Sequence, residues 1–152
     1  MSMVGHSLGN ISIIYYMLQN GRNRKMPQLV KQVGMAGHFA GLNFSRVPAS
    51  IRQPKGLKLN SAGKPNKMNS SYWQMTGVRE TYPKNKVRVL NIIGDIGGQT
   101  DGTVPNVSSL SLKYLVADRA KSYQVVKFTG KNARHSKLHE LSLIHISEPT
   151  RL

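Results

Sequence analysis

The sequence predicts an α/β protein with a mostly parallel β-sheet and helices on both faces. Short apolar, β-branched segments alternate along the chain with segments of helical periodicity, as in parallel strands joined by crossover helices. The 152 residues are 39% hydrophobic and 18% charged, which is typical of globular domains rather than disordered chains. This length is sufficient for one domain with a buried core.

The first predicted elements are a strand, a sharp turn and a helix. Met1–Val4 is a short apolar strand, and apolar side chains then recur at helical spacing from Ile11 until Asn20 and Gly21. Between them, Gly5-His6-Ser7-Leu8-Gly9 fits the G-x-S-x-G nucleophile elbow. In that elbow a strained serine projects its hydroxyl above the sheet, and flanking glycines avoid Cβ clashes. An ordinary strand-to-helix turn is the alternative.

The elbow would also create an anion site. The backbone N–H of Leu8 opens the predicted helix and could stabilise the oxyanion of an attacked carbonyl. His6, beside the nucleophile, is expected to pack against the site and contact substrate.

The middle of the chain contains a second strand and a long polar segment. Leu29–Ala36 is the predicted strand, and Arg46–Asn69 is basic and loop-like, with three prolines. A short helix is expected over Ser70–Arg79. Residues 45–82 are therefore interpreted as a lid or insertion, in which Tyr72 and Trp73 would contact substrate. The alternative is a surface loop with a small satellite core.

The candidate acid follows the strongest predicted strand, Val87–Ile93. Asp95 and Asp101 both lie in the Gly-rich loop Gly94–Pro105 that comes next. Asp101 is preferred because Gly102 allows a tight turn that directs the carboxylate back toward the sheet. Asp95 is expected to cap the loop through backbone amides. Asp118 is interpreted as half of a solvated ion pair.

The candidate base follows the last predicted strand, Tyr123–Phe128. His135 lies in the polar loop Gly130–Glu140, and His139 is expected to support the start of a helix. A serine nucleophile needs such a base, oriented by a carboxylate, and the chain order Ser7, Asp101, His135 is that of a nucleophile-elbow enzyme. His135 and His139 share a helical spacing but have no third ligand nearby, so no metal site and no cofactor are expected.

The net charge and the absence of cysteine exclude several classes of function. The chain has 22 Lys and Arg against 6 Asp and Glu, a net charge of +16. The basic residues are dispersed, and no motif that recognises bases accompanies them, so we expect no specific nucleic-acid binding. An anionic cell surface would nevertheless attract the protein. The absence of cysteine excludes disulfides and thiolate catalysis. No apolar run approaches the roughly 20 residues of a membrane span.

Three segments together resemble the α/β-hydrolases of the DUF915 type, which are assigned as cell-surface hydrolases of Gram-positive, lactobacillus-like bacteria. The segments are GHSLGN, DGTVPNVSSLSLKYLV and GKNARHSKLHE. The resemblance covers residues 1–140 and implies Ser7 as nucleophile, Asp101 as acid and His135 as base. It also implies an upstream half that supplies the second oxyanion donor, so this chain would be the C-terminal half of an α/β-hydrolase fold.

The predicted function is hydrolysis of small-molecule or lipid carboxylic esters through an acyl-enzyme, with this chain being an inactive fragment. The alternative is a non-catalytic module that binds anionic cell-wall or membrane surfaces. The resemblance implies a cell-surface or secreted location, with the cytoplasm as the alternative. Residues 141–152 (LSLIHISEPTRL) resemble translated adapter sequence and are expected to be a non-native tail.

Overall fold

The computed structural model describes residues 1–44, 46–138 and 140, so His139 and the predicted tail at 141–152 lie outside the described residues. Four parallel strands form one sheet in the order β1-β2-β3-β4. The strands are β1 (Ser2–His6), β2 (Lys31–Met35), β3 (Arg88–Asp95) and β4 (Ser122–Thr129). The helices are α1 (Leu8–Asn20), α2 (Ser70–Met75), α3 (Val78–Thr81), α4 (Asn106–Leu110) and α5 (Leu112–Val116). The predicted α/β class with a parallel sheet is confirmed.

Two helical segments are each broken in the middle, and the first of them was expected to be a single helix over Ser70–Arg79. The first divides into α2 and α3 at Thr76 and Gly77, and a Cβ on Gly77 would lie 2.7 Å from Leu18 Cδ1. The missing side chain of Gly77 thus leaves room for Leu18 of α1 at this break. The second divides into α4 and α5 at Ser111, whose hydroxyl donates to the Ser108 carbonyl at 2.6 Å. Such a bond competes with the regular helical ladder.

The larger core lies between one face of the sheet and the helices. Apolar side chains of α1, α2, α3 and α5 pack together with Val89 of β3. The fully buried members with the largest side chains include Tyr72, Tyr82, Phe39 and Ile14. Burial of aromatic and aliphatic groups at this density is the main stabilising contribution to the fold.

The opposite face of the sheet forms a smaller core. Val33 and Met35 of β2 and Leu90 and Ile92 of β3 are buried there, with Leu138 packed against them. Val4 of β1, on the same face, is 54% exposed. Burial on this face therefore centres on the inner strands. Within the described part of the chain, no helix has the length and apolar character needed to cross a bilayer.

Candidate active site

Ser7 lies between the last residue of β1 and the first residue of α1. Its backbone is at φ 53° and ψ −118°, a strained conformation for a residue with a side chain. The Ser7 N–H donates to the Met35 carbonyl at 2.9 Å, which ties the turn to the end of β2. The strained Ser7 backbone and its hydrogen bond to β2 are the features of the predicted nucleophile elbow.

Asn10 supports this turn from below. Its side chain is fully buried, and its Nδ2 donates to the carbonyls of Ser7 and Met35 at 3.0 and 2.9 Å. Gly5 and Gly34 face each other across β1 and β2, and a Cβ on either would lie 3.0 Å or less from an Asn10 atom. The sequence alone did not predict that Asn10 supports the turn. The only local signal was the position of Asn10 directly after the elbow.

The two glycines of the elbow, Gly5 and Gly9, differ in whether their surroundings require a residue without a side chain. A Cβ on Gly5 would lie 2.8 Å from the Asn10 nitrogen, so glycine is needed there. At Gly9, by contrast, a Cβ would have no neighbour within 4 Å. The expectation that both glycines avoid clashes therefore holds for Gly5 and is wrong for Gly9 within the described residues.

Asp101 is 2% exposed and lies in the loop after β3. Its Oδ1 accepts hydrogen bonds from the backbone N–H groups of Thr103 and Val104 at 2.9 and 2.7 Å. Burial alone would raise the pKa of Asp101, but the hydrogen bonds from His135, Val104 and Thr103 outweigh it, so the pKa is lowered. The site therefore holds an ionised carboxylate.

His135 bridges the other two residues. Its Nδ1 is 2.8 Å from Asp101 Oδ2, and its Nε2 is 3.0 Å from Ser7 Oγ. The His135 backbone N–H also donates to the Asp101 carbonyl at 2.8 Å, which fixes the loop as well as the ring. Three side chains distant in sequence are thus aligned for proton transfer from a hydroxyl to an imidazole.

Gly94 allows the two loops that carry Asp101 and His135 to meet. A Cβ on Gly94 would lie 2.1 Å from the Ala133 carbonyl oxygen and 3.3 Å from Asp101 Cβ. A side chain at this position would therefore push the His135 loop away from β3. In the sequence, Gly94 is only the first glycine of a Gly-rich loop, so this contact with Ala133 was not predicted.

Two further histidines lie near the site, since His6 contacts His135 and His38 lines the same small cavity as Leu8. The His6 ring centroid is 5.0 Å from that of His135, and His6 Nε2 is 3.1 Å from the His135 carbonyl oxygen. His38 is 8% exposed, and burial, together with the charge of His135, lowers the pKa of its imidazole. Its contribution to the site was not predicted.

A small apolar cavity of about 50 Å³ adjoins the start of α1. Leu8, Ile11, Phe39 and Ile51 line it together with His38. The Leu8 N–H makes no hydrogen bond to any described residue, because it is at the first position of α1. The predicted oxyanion donor is therefore available next to the cavity.

Tyr72 and Trp73 are not brought to the site around Ser7. Tyr72 is fully buried in the main core, and its hydroxyl donates to the Ser111 carbonyl at 2.8 Å, so its predicted contact with substrate is wrong. Trp73 is 69% exposed and lines a different groove, with Lys64, Arg79 and Tyr114. The two side chains separate because adjacent helical residues point about 100° apart.

The predicted lid segment is divided between the core and the cavity. Met75 and Val78 are fully buried in the main core, so helices α2 and α3 are structural. Ile51 and Ser71 of the same segment line the small cavity beside Leu8. The lid function of residues 45–82 stays a prediction.

The other two aspartates have structural contacts. Asp95 Oδ1 accepts from the Gly97 N–H at 2.8 Å, the loop cap that the sequence suggested. This bond, with Lys127 3.6 Å from Oδ2, lowers the pKa of Asp95. Asp118 pairs with Arg79 at 2.9 Å. Over the described residues, no three His, Cys, Asp or Glu side chains are grouped as metal ligands.

Comparison with known proteins agrees with this fold. The sequence matches the family described as alpha/beta hydrolase of unknown function (DUF915) over residues 1–144. The structure is similar to the lin2722 gene product of Listeria innocua, with 25% identity, a TM-score of 0.72, and 97% of this chain and 58% of that chain covered. No curated protein matches the sequence.

A second solved structure, from Lactobacillus plantarum WCFS1, is described as a "putative cell surface hydrolase". It has 17% identity and a TM-score of 0.65, and the match covers 96% of this chain and 52% of that one. The chain thus spans 58% and 52% of the lengths of these two structures. The match over residues 1–144 and the parallel sheet together show that the chain belongs to the DUF915 family of α/β-hydrolases.

Proposed function

We propose that Ser7, His135 and Asp101 are the catalytic triad of a serine hydrolase that acts on carboxylic esters. The observation that carries the proposal is the position of His135, within 3.0 Å of Ser7 Oγ and 2.8 Å of Asp101 Oδ2. An imidazole held between a hydroxyl and an ionised carboxylate is suited to general-base catalysis.

The reaction would proceed in two steps. Ser7 Oγ attacks the ester carbonyl carbon while His135 Nε2 takes its proton, and the Leu8 N–H stabilises the oxyanion. The alcohol leaves with the proton from His135, which produces the acyl-enzyme. Water, deprotonated by His135, then releases the acid and regenerates Ser7. Asp101 stabilises the imidazolium throughout and keeps the ring in the required tautomer.

We propose further that the 152-residue chain alone has little esterase activity. The Leu8 N–H is one oxyanion donor beside Ser7, and the family resemblance assigns the second donor to an upstream segment. Loss of one such donor reduces turnover by about 10²–10³-fold. Turnover of p-nitrophenyl acetate by this chain at ordinary esterase rates, abolished by Ser7→Ala, would contradict this point while supporting the triad.

The triad itself is tested by covalent trapping with a fluorophosphonate probe. Trapping accumulates over hours, so it detects an activated serine even where turnover is slow. We expect a single adduct on Ser7, identified by peptide mass spectrometry and lost in Ser7→Ala. Ser12→Ala, on an exposed position of the same helix, is the matched control and should be labelled like the wild type. No adduct on Ser7 would favour a non-catalytic module.

The charge supports a location at an anionic surface. The net charge of +16 would attract the protein to a bacterial envelope, and one structural relative is described as a cell surface protein. We therefore include attachment to the cell surface in the proposed function. Fractionation of cells that express the tagged protein, with and without a high-salt wash, measures it.

A further inference from the structure

A second groove is lined in part by residues of helices α2 and α3 and by none of the three triad residues. Its volume is about 690 Å³, within the usual range of ligand sites. Trp73, Glu80, Lys64 and Tyr114 are among its lining residues, and it shares none with the small cavity beside Leu8. We call it the Trp73 groove.

The aromatic surface of the groove is available to a ligand. Trp73 is 69% exposed, although it directly follows the fully buried Tyr72. Large exposed aromatic side chains beside a concave surface commonly mark a binding site, because an indole supplies a wide, rigid contact area at little entropic cost. Lys64 lines the groove from a loop that packs against α5, since a Cβ on the adjacent Gly63 would lie 2.7 Å from Lys113 Cβ.

Part of the polar lining is already paired. The Arg79 guanidinium lies 3.9 Å from the Tyr114 ring centroid and donates to Asp118 at 2.9 Å and to the Tyr114 carbonyl. Lys64 Nζ is 5.7 Å from the same ring. The Glu80 carboxylate is exposed and makes no hydrogen bond or ion pair with any described residue. Glu80 and Lys64 thus remain as acceptor and donor at the rim.

The charge of the groove distinguishes it from the rest of the surface. Lys64 and Arg79 balance Glu80 and Asp118, so the lining has no net charge, whereas the whole chain carries +16. Two of the chain's six acidic residues lie in this one groove. The lining itself therefore offers a polyanion no excess of positive charge.

We propose that the Trp73 groove binds an uncharged glycan. A pyranose ring presents C–H bonds on one face, which stack on an indole, and hydroxyl groups around its rim. Trp73 would contact that face, Glu80 would accept hydrogen bonds from sugar hydroxyls, and Lys64 would donate to sugar oxygens. The proposal is independent of the triad and does not require esterase activity.

Trp73 is the single tryptophan of the chain, so its fluorescence reports directly on the groove. The 152-residue chain is titrated with two uncharged oligosaccharides, chitotetraose and cellotetraose, and with heparin as the anionic comparator. We expect a saturable change in Trp73 fluorescence with at least one of the uncharged probes, and the affinity should not fall at high salt. Binding in solution is checked by calorimetry.

Three variants locate the site. Glu80→Gln should weaken binding about fivefold, because the amide keeps one neutral acceptor oxygen but loses the charge that strengthens the carboxylate's hydrogen bonds. Trp73→Phe, followed by calorimetry, should weaken it at least as much. Lys58→Gln, in a neighbouring hollow that Trp73 does not line, is the matched control and should leave the affinity unchanged.

Three results would overturn the proposal. One is the absence of a saturable signal with both uncharged probes. A second is an unchanged affinity in both Glu80→Gln and Trp73→Phe. A third is a signal from heparin alone that disappears with salt, because that response identifies a polyanion surface. Retained glycan binding in Ser7→Ala would show that the groove is separate from the triad.

Discussion

The site around Ser7 and the Trp73 groove use polar groups in opposite ways. At the triad, the Asp101 carboxylate is buried and the imidazole of His135 is bonded at both ring nitrogens. At the groove, the Trp73 indole is mostly exposed and the Glu80 carboxylate is open to solvent. The polar groups around Ser7 thus hydrogen-bond to one another, whereas those of the Trp73 groove are exposed to solvent.

This difference is the one expected between the proposed catalytic triad and the proposed binding groove. Buried, mutually bonded polar groups are costly to disturb, since loss of one partner leaves the others desolvated and unsatisfied. Exposed groups lose little when one of them is changed. Substitutions at the triad should therefore have large effects, and substitutions in the groove should change ligand affinity without changing stability.

The largest expected effect is that of Asp101→Asn. The amide keeps the shape but loses the charge that orients His135 and stabilises its imidazolium, so fluorophosphonate labelling of Ser7 should slow by about 10³–10⁴-fold. Labelling rates followed by mass spectrometry measure it. Asp95→Asn, in the same loop but bonded to the Gly97 N–H, is the matched control and should change the rate little. Equal effects of the two variants would contradict the assignment of Asp101.

The next effect compares two neighbouring aromatic residues. Tyr72→Ala removes a fully buried ring and should lower the free energy of unfolding by about 3–5 kcal/mol. Trp73→Ala removes an exposed ring and should lower it by less than about 0.5 kcal/mol. Urea denaturation followed by circular dichroism measures both. A large loss of unfolding free energy in Trp73→Ala would mean that the indole packs in the fold and is not available to a ligand.

The smallest effect compares two glycines near the triad. Gly94→Ala places a Cβ against the Ala133 carbonyl oxygen and should destabilise the protein by about 1–3 kcal/mol, while also displacing His135 and slowing Ser7 labelling. Gly9→Ala has free space and a helical position, so it should stabilise by about 0.5–1 kcal/mol. Denaturation and labelling on the same samples test both, and a stable, fully reactive Gly94→Ala would contradict the packing role of Gly94.

The strands were predictable because a parallel sheet requires apolar runs that appear directly in the sequence. All four observed strands overlap the predicted ones, although β1 continues to His6 and β3 to Asp95. The helix breaks at Gly77 and Ser111 were not predictable, since each arises from a contact with another part of the chain or from one side-chain hydrogen bond. Local propensity does not contain that information.

The candidate site was predictable where its chemistry is local. The elbow at Ser7 is a contiguous pattern, and the acid and base follow strands whose carboxyl ends meet at one edge of a parallel sheet. The support by Asn10 and the close approach at Gly94 depend on distances between separate elements. They have no counterpart in spacing or composition.

By itself, the sequence determined the fold class, the strained turn at Ser7 and the order of three chemically suited residues, because these follow from short-range patterns of polarity and size. Only the tertiary structure decided that Asp101 rather than Asp95 contacts His135, and that Tyr72 and Trp73 belong to a core and a groove. The physical reason is that hydrogen bonds and burial depend on positions in space. Residues of the same type, a few positions apart, can therefore have unrelated functions.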